Sequence, residues 1–133
     1  MAESTRRVLL AEDDRFLRKA AETALKRQGL TVLPAVDGEE ALRVARAETP
    51  DVVLLDLIMP KLQGFEVLRA LKADAATARI PVIILSNLGQ ESDVQQAMDA
   101  GAAGYFVKAN LSLHDLVKKV AEVARTDDPG GVG

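Results

Sequence analysis

No cysteine occurs in the 133 residues. Disulfides, thiol catalysis and cysteine-held metal centres are therefore excluded. A single histidine excludes a histidine-cluster metal site. Aromatic residues make up only 3% of the chain, so the core must be aliphatic, built on Val, Leu, Ile and Ala. Charge of one sign is also scarce. The net charge of -3 argues against a binder of the phosphate backbone, which would carry a basic patch. No apolar run is long enough to span a bilayer, and Met1–Arg7 lacks the apolar region of a signal peptide. These absences lead to the expectation of a cytoplasmic protein with no membrane and no direct nucleic-acid partner. The hydrophobic fraction of 48% and charged fraction of 28% suit an ordinary globular chain. The length suits one domain with a sizeable core.

The most informative stretch is Val52-Val53-Leu54-Leu55-Asp56-Leu57-Ile58-Met59-Pro60. A short apolar run of this kind predicts a strand buried on both faces, as in a parallel sheet. Asp56 would close that strand at its carboxyl end, the edge where open α/β sheets gather ligands and chemistry. By itself it reads equally as a turn or cap residue.

The rest of the chain alternates between two periods. Arg7–Ala11 predicts a strand closed by Glu12-Asp13-Asp14. Leu17, Ala20, Ala21, Ala24 and Leu25 recur at helical spacing, and Gly29 stops that helix. Leu30–Ala35 predicts a second strand, and Pro34 places it at a sheet edge, since proline cannot donate to a ladder. Asp37 and Glu40 form a capping pair for a helix whose inner face is Ala41, Leu42 and Ala45. After the central strand, Phe65, Leu68 and Leu71 stripe a third helix. Val82–Leu85 predicts a strand ending at Ser86-Asn87. Val94, Ala97 and Met98 mark a fourth helix. Ala103–Val107 predicts a fifth strand ending at Lys108. Ser112 and Asp115 cap a last helix with Leu113, Leu116, Val117, Val120 and Val123 inside. Residues 126–133 are expected to form a disordered tail to a domain spanning 6–125.

Five strand–helix alternations imply right-handed crossovers and a parallel sheet covered on both faces. A barrel needs more units, so an open doubly wound sheet remains. At its carboxyl edge the strands end in Glu12-Asp13, Asp56, Ser86 and Lys108. Three acids, a hydroxyl and a lysine are the groups a magnesium-dependent phosphoryl-transfer site needs. Carboxylates are hard oxygen ligands suited to magnesium, and a metal and a lysine offset charge on phosphoryl oxygens. Taken singly, each has a plain structural reading. Asp13 and Asp14 read as helix caps, Lys108 as a solvated loop lysine, Ser86 as a turn former and Tyr105 as half-buried packing. His114 reads as solvated, and Met59 and Met98 as packing.

Four motifs, in order and each at a strand end, resemble the receiver domain of two-component response regulators, the family that includes the stand-alone chemotaxis regulator. They are Leu9-Leu10-Ala11-Glu12-Asp13-Asp14, Leu55-Asp56-Leu57-Ile58-Met59-Pro60 with Gly64, Ile84-Leu85-Ser86, and Gly104-Tyr105-Phe106-Val107-Lys108. The resemblance implies a flavodoxin-like (βα)5 fold with strand order 2-1-3-4-5. It implies Asp56 as the acceptor of a phosphoryl group from a sensor histidine kinase or phosphotransfer protein. It further implies Mg2+ held by Asp13, Glu12, Asp56 and the backbone carbonyl of Ile58, with Lys108 pairing the phosphoryl group. Ser86 and Tyr105 become switch residues that reshape the face of the fourth helix, fifth strand and fifth helix, where a downstream protein docks. The implied protein is a single-domain signalling phosphoacceptor, an enzyme only toward its own phosphorylation and dephosphorylation. Its implied state is a monomer or a phosphorylation-linked dimer.

Two positions depart from the family pattern. Ala109 follows Lys108 where the family usually has a cis proline, and Asn87 follows Ser86 where a small residue is common. They leave a phosphorylation-independent pseudo-receiver scaffold as the alternative. An aspartyl phosphatase would need a second aspartate where Ile58 stands. A flavin carrier would need a phosphate-binding loop after the first strand and aromatic rings to stack.

Overall fold

The computed structural model describes residues 6–126. Residues 127–133 of the expected tail lie outside them. The elements run β1 (Arg7–Ala11), α1 (Arg15–Arg27), β2 (Thr31–Ala35), α2 (Gly38–Glu48), β3 (Val52–Asp56), α3 (Gly64–Ala73), β4 (Val82–Ser86), α4 (Glu91–Asp99), β5 (Gly104–Val107) and α5 (Leu113–Thr126). The strands form one parallel sheet in the order β2-β1-β3-β4-β5. The expected doubly wound fold and strand order are both present.

Alternation along the strands divides the core in two. Leu9, Val53, Leu55 and Ile84 face α2, α3 and α4, where Ala41, Ala45, Leu68, Leu71 and Ala97 are buried. Val8, Val52, Leu54, Ile83 and Leu85 face α1 and α5, where Ala21, Leu25, Leu116 and Val120 are buried. Every residue of β3 and β4 is buried. Coverage on both faces explains why those strands read as continuous apolar runs. Each fully buried Leu or Ile contributes about 1.5–3 kcal/mol from removal of apolar surface from water.

Pro34 does lie on an edge strand. Thr31 N donates to Arg6 O and Glu12 N to Ala35 O. By the two-residue period, Pro34 therefore turns its nitrogen away from β1. The proline removes an outward donor from an edge that would otherwise template pairing.

Two expected packing residues face solvent. Ala20 is exposed. It lies about 120° around α1 from the line through Ala21 and Leu25, at about 100° per residue. Met98 is 42% exposed, because α4 buries only Ala97. Met59 packs as expected, at 7% exposure. Asp37 Oδ1 accepts from Glu40 N at 2.8 Å, but Glu40 Oε1 accepts from Val36 N, one residue before the cap. Asp115 N donates to Ser112 Oγ at 3.2 Å. Among the described residues, no helix is long and apolar enough to cross a membrane.

Candidate functional site

Four parallel strands deliver their terminal residues to one edge. Glu12 and Asp13 follow β1, Asp56 ends β3, Ser86 ends β4 and Lys108 follows β5. Lys108 begins a single 3-10 turn, Lys108–Asn110. The described residues contain no cis peptide, so the Lys108–Ala109 bond is trans.

At the centre, the Lys108 ammonium donates to Glu12 Oε2 and to Asp56 Oδ2, each at 2.9 Å. The carboxylates of Glu12 and Asp56 are buried, with side-chain exposures of 0% and 4%. Asp13 is exposed. One carboxylate oxygen from each of Glu12, Asp13 and Asp56 lies within 4.8 Å of the others. Their clustering at this separation is unfavourable without a counter-charge, and a single lysine leaves the group net negative.

Burial pushes the Glu12 carboxyl up to about 7, against the opposing hydrogen bond from Lys108 and with the Asp56 charge adding to the rise. Burial pulls the Lys108 ammonium down, but its hydrogen bonds to Glu12 and Asp56 outweigh this and hold it above the ordinary lysine value.

The surroundings orient the acids. Glu12 Oε2 also accepts from Asp14 N at 3.0 Å. Arg18 on α1 donates from Nη1 to the Glu12 carbonyl at 2.8 Å. Asp14 serves as the N-cap of α1, with Oδ1 accepting from Phe16 N and Leu17 N. Asp56 Oδ1 accepts from Ile58 N at 3.1 Å. The Ile58 side chain is 55% exposed and turned out of the core. Gly64 is required where α3 begins: a Cβ there would sit 2.4 Å from Leu57 Cα and 2.5 Å from Asp56 O.

Glu12 Oε1 is buried and has no hydrogen-bond partner. A buried, unpaired carboxylate oxygen is costly, and a cation or water held by one would satisfy it. Two buried carboxylates and the exposed Asp13 form the all-oxygen set suited to magnesium. The residues present therefore fit a divalent cation.

Ser86 is fully buried, and its Oγ accepts from Leu88 N at 3.0 Å. Tyr105 is half-buried and donates its hydroxyl to Leu88 O at 2.5 Å. Burial raises the Tyr105 hydroxyl above the ordinary tyrosine value. Both peptide groups of Leu88 are thus engaged by expected switch residues. Neither Arg18 nor Leu88 carried a sequence signal, since one acts from a helix face and the other through its backbone.

The chain matches the response regulator receiver domain over residues 8–121. It is 43% identical over 114 residues to the gliding motility regulatory protein of Myxococcus xanthus, covering 86% of this chain and 15% of that protein. It is 35% identical over 122 residues to the DNA-binding dual master transcriptional regulator RpaA of Synechocystis, covering 92% of this chain and 50% of that protein. Among solved structures, the Francisella response regulator 1452 receiver domain superposes with a TM-score of 0.88 at 28% identity, covering 93% of this chain and all of the other. The chain thus spans half or less of the length of these curated relatives.

The relatives correct the expected partners. The exclusion of nucleic acid is overturned by transcriptional regulators, one of them named as DNA-binding, that match most of this chain. The charge argument bore only on these residues, and the DNA-binding relative is about twice as long. A kinase partner is consistent with the family. The expected protein target and the expected monomer or phosphorylation-linked dimer gain no support from these relatives.

Proposed function

This chain belongs to the response regulator receiver family, and from that premise we propose that Asp56 accepts a phosphoryl group from a phosphohistidine on a sensor kinase or phosphotransfer protein. The carrying observation is the Asp56 carboxylate held at a strand end, 2.9 Å from Lys108 and clustered with Glu12 and Asp13. An oxygen of Asp56 attacks phosphorus, the P–N bond breaks, and the imidazole leaves with a proton from solvent. The product is an acyl phosphate on Asp56.

Asp13 and Asp56 would hold Mg2+ directly, the Ile58 carbonyl would add a ligand, and Glu12 would act through water. When bound, the ion supplies positive charge against the phosphoryl oxygens. Lys108 sits 2.9 Å from Asp56 and is the cation that pairs the new phosphoryl group. In this reading the domain promotes its own phosphorylation and dephosphorylation.

The switch begins at Ser86. Its hydroxyl turns to donate to a phosphoryl oxygen, and Leu88 N–H loses its acceptor. Leu88 also holds Tyr105, so the loop before α4 and the Tyr105 ring move together. This changes the face formed by α4, β5 and α5. The ground-state bonds of Ser86 and Tyr105 to Leu88 support this coupling. In physical terms it is a two-state equilibrium biased by local charge.

The test is the intact mass of native protein and Asp56→Asn after incubation with acetyl phosphate, with and without magnesium. A magnesium-dependent phosphoryl adduct, absent from Asp56→Asn, is expected. No adduct on the native protein, or an equal adduct on the variant, would overturn the reading.

A further inference from the structure

The loop between β3 and α3 carries the Ile58 carbonyl, and its path is held from outside. Leu62 N donates to Pro60 O at 2.8 Å across a single residue, Lys61, whose φ is 72°. This is a γ-turn of the rare positive-φ hand, strained for a residue with a side chain. Such a conformation persists only where its surroundings over-determine it.

Here the surroundings are the first turn of α2. Gly38 N donates to the same Pro60 carbonyl at 3.3 Å. A Cβ on Gly38 would lie 2.0 Å from Leu62 O, so backbone packs directly on backbone. The Lys61 ammonium lies 3.6 Å from Asp37 Oδ2, a carboxylate only 13% exposed. On the other side, the loop is anchored by the buried Met59 and by Gly64 N donating to Leu57 O at 2.8 Å. Ile58 is flanked by Leu57 and Met59 of this second anchorage and stands two residues before Pro60, where the α2 clamp takes hold.

We propose that Asp37, Gly38 and Lys61 are positioning residues for the cation site: by clamping the strained turn at Lys61, they set where the Ile58 carbonyl stands relative to the carboxylates. The inference rests on the magnesium-dependent reading of Asp56. Lys61 pairs with Asp37, and Gly38 bonds to Pro60 O. They act through the backbone of residues 58–62, as outer partners that orient a ligand do.

Calorimetric titration of Mg2+ into the full chain tests this without any phosphoryl transfer, alongside metal-free melting temperatures. Lys61→Gly removes the ion pair to Asp37 and, without a clash, relieves the strain that fixes the turn. It is expected to weaken magnesium binding about tenfold while its metal-free melting temperature stays within about 3 °C of wild type. Loss of a positive charge does not by itself weaken cation binding, so a fall reports geometry. Gly38→Ala, which forces Leu62 away, is expected to weaken binding similarly and to melt lower. Wild-type magnesium affinity in both variants would overturn the proposal. So would a loss in Lys61→Gly that merely tracks a lower melting temperature. Failure of the wild-type protein itself to bind magnesium would instead defeat the metal-dependent reading, and this inference with it.

Discussion

Lys108 Nζ reaches Asp56 Oδ2 at 2.9 Å across 52 residues of sequence, joining the ends of two strands that are not neighbours in the sheet. The same ammonium holds Glu12 Oε2, so it is the cation shared between two buried carboxylates. Lys108→Met leaves both without their cation. The variant should lose about 2 kcal/mol of stability at pH 8, the order expected for buried polar groups left unsatisfied. At pH 5 the loss should shrink, because the Glu12 carboxyl, raised to about 7, is then protonated. Urea denaturation at both values checks this, and an equal loss at both would contradict the arrangement.

Glu12 sets a pH dependence. Its carboxyl is raised from 4.5 to about 7 in the folded, metal-free protein. A folded value above the unfolded one means the proton favours the fold. That contribution is complete below pH 4.5 and is lost as the pH rises toward 7. Magnesium requires the ionised form, so its affinity should rise with pH and level off above about 7. Titration at pH 6 in two buffers of different ionisation enthalpy should show proton release on binding. A pH-independent affinity between 6 and 8 would count against Glu12 as a participant.

Gly64 is a position where space alone forbids a side chain. A Cβ would meet backbone atoms of Leu57 and Asp56 that cannot rotate away. Gly64→Ala should cost about 1–3 kcal/mol, the range for forced overpacking. It should also weaken phosphorylation by acetyl phosphate, because the displaced atoms belong to Asp56 and its neighbour. A variant as stable and as readily phosphorylated as the native protein would show that the loop yields freely.

Tyr105→Phe removes the hydroxyl bond to Leu88 O and leaves the ring. The expected stability change is about 1 kcal/mol or less. Phosphoryl adduct formation should be unchanged, since the hydroxyl that is removed bonds to Leu88 O. Amide chemical shifts of Leu88 and α4 upon beryllofluoride addition should be smaller than in the native protein. Identical shifts would remove Tyr105 from the switch.

Much of the fold was legible in the sequence because its signals are local. The bounds of β1 match the apolar run Arg7–Ala11. Gly29 has a φ of 84°, as a glycine closing a helix does. Asp37 and Asp14 cap the helices that follow them. The misplacements have a geometric cause. Ala20 and Met98 are apolar, but α1 and α4 bury narrow stripes, and neither residue lies on one. Gln63 and Gln90 occupy N-cap positions through capping boxes with Glu66 and Asp93. Glutamine is not among the strong cap residues, so the sequence offered little warning.

Periodicity and proline act within a few residues, so the βα alternation, the edge position of β2 and the residues at strand ends follow from local sequence. So does the chemical inventory at those ends: three acids, a serine and a lysine. How these groups meet depends on the packed fold. Strand order places Lys108 between Glu12 and Asp56, leaves Glu12 Oε1 unpartnered, and ties Ser86 and Tyr105 to one residue, Leu88. It also presses Gly38 against Leu62 across a strained turn at Lys61. Those relationships depend on distances between segments far apart in the chain, and local residue preferences carry no record of them.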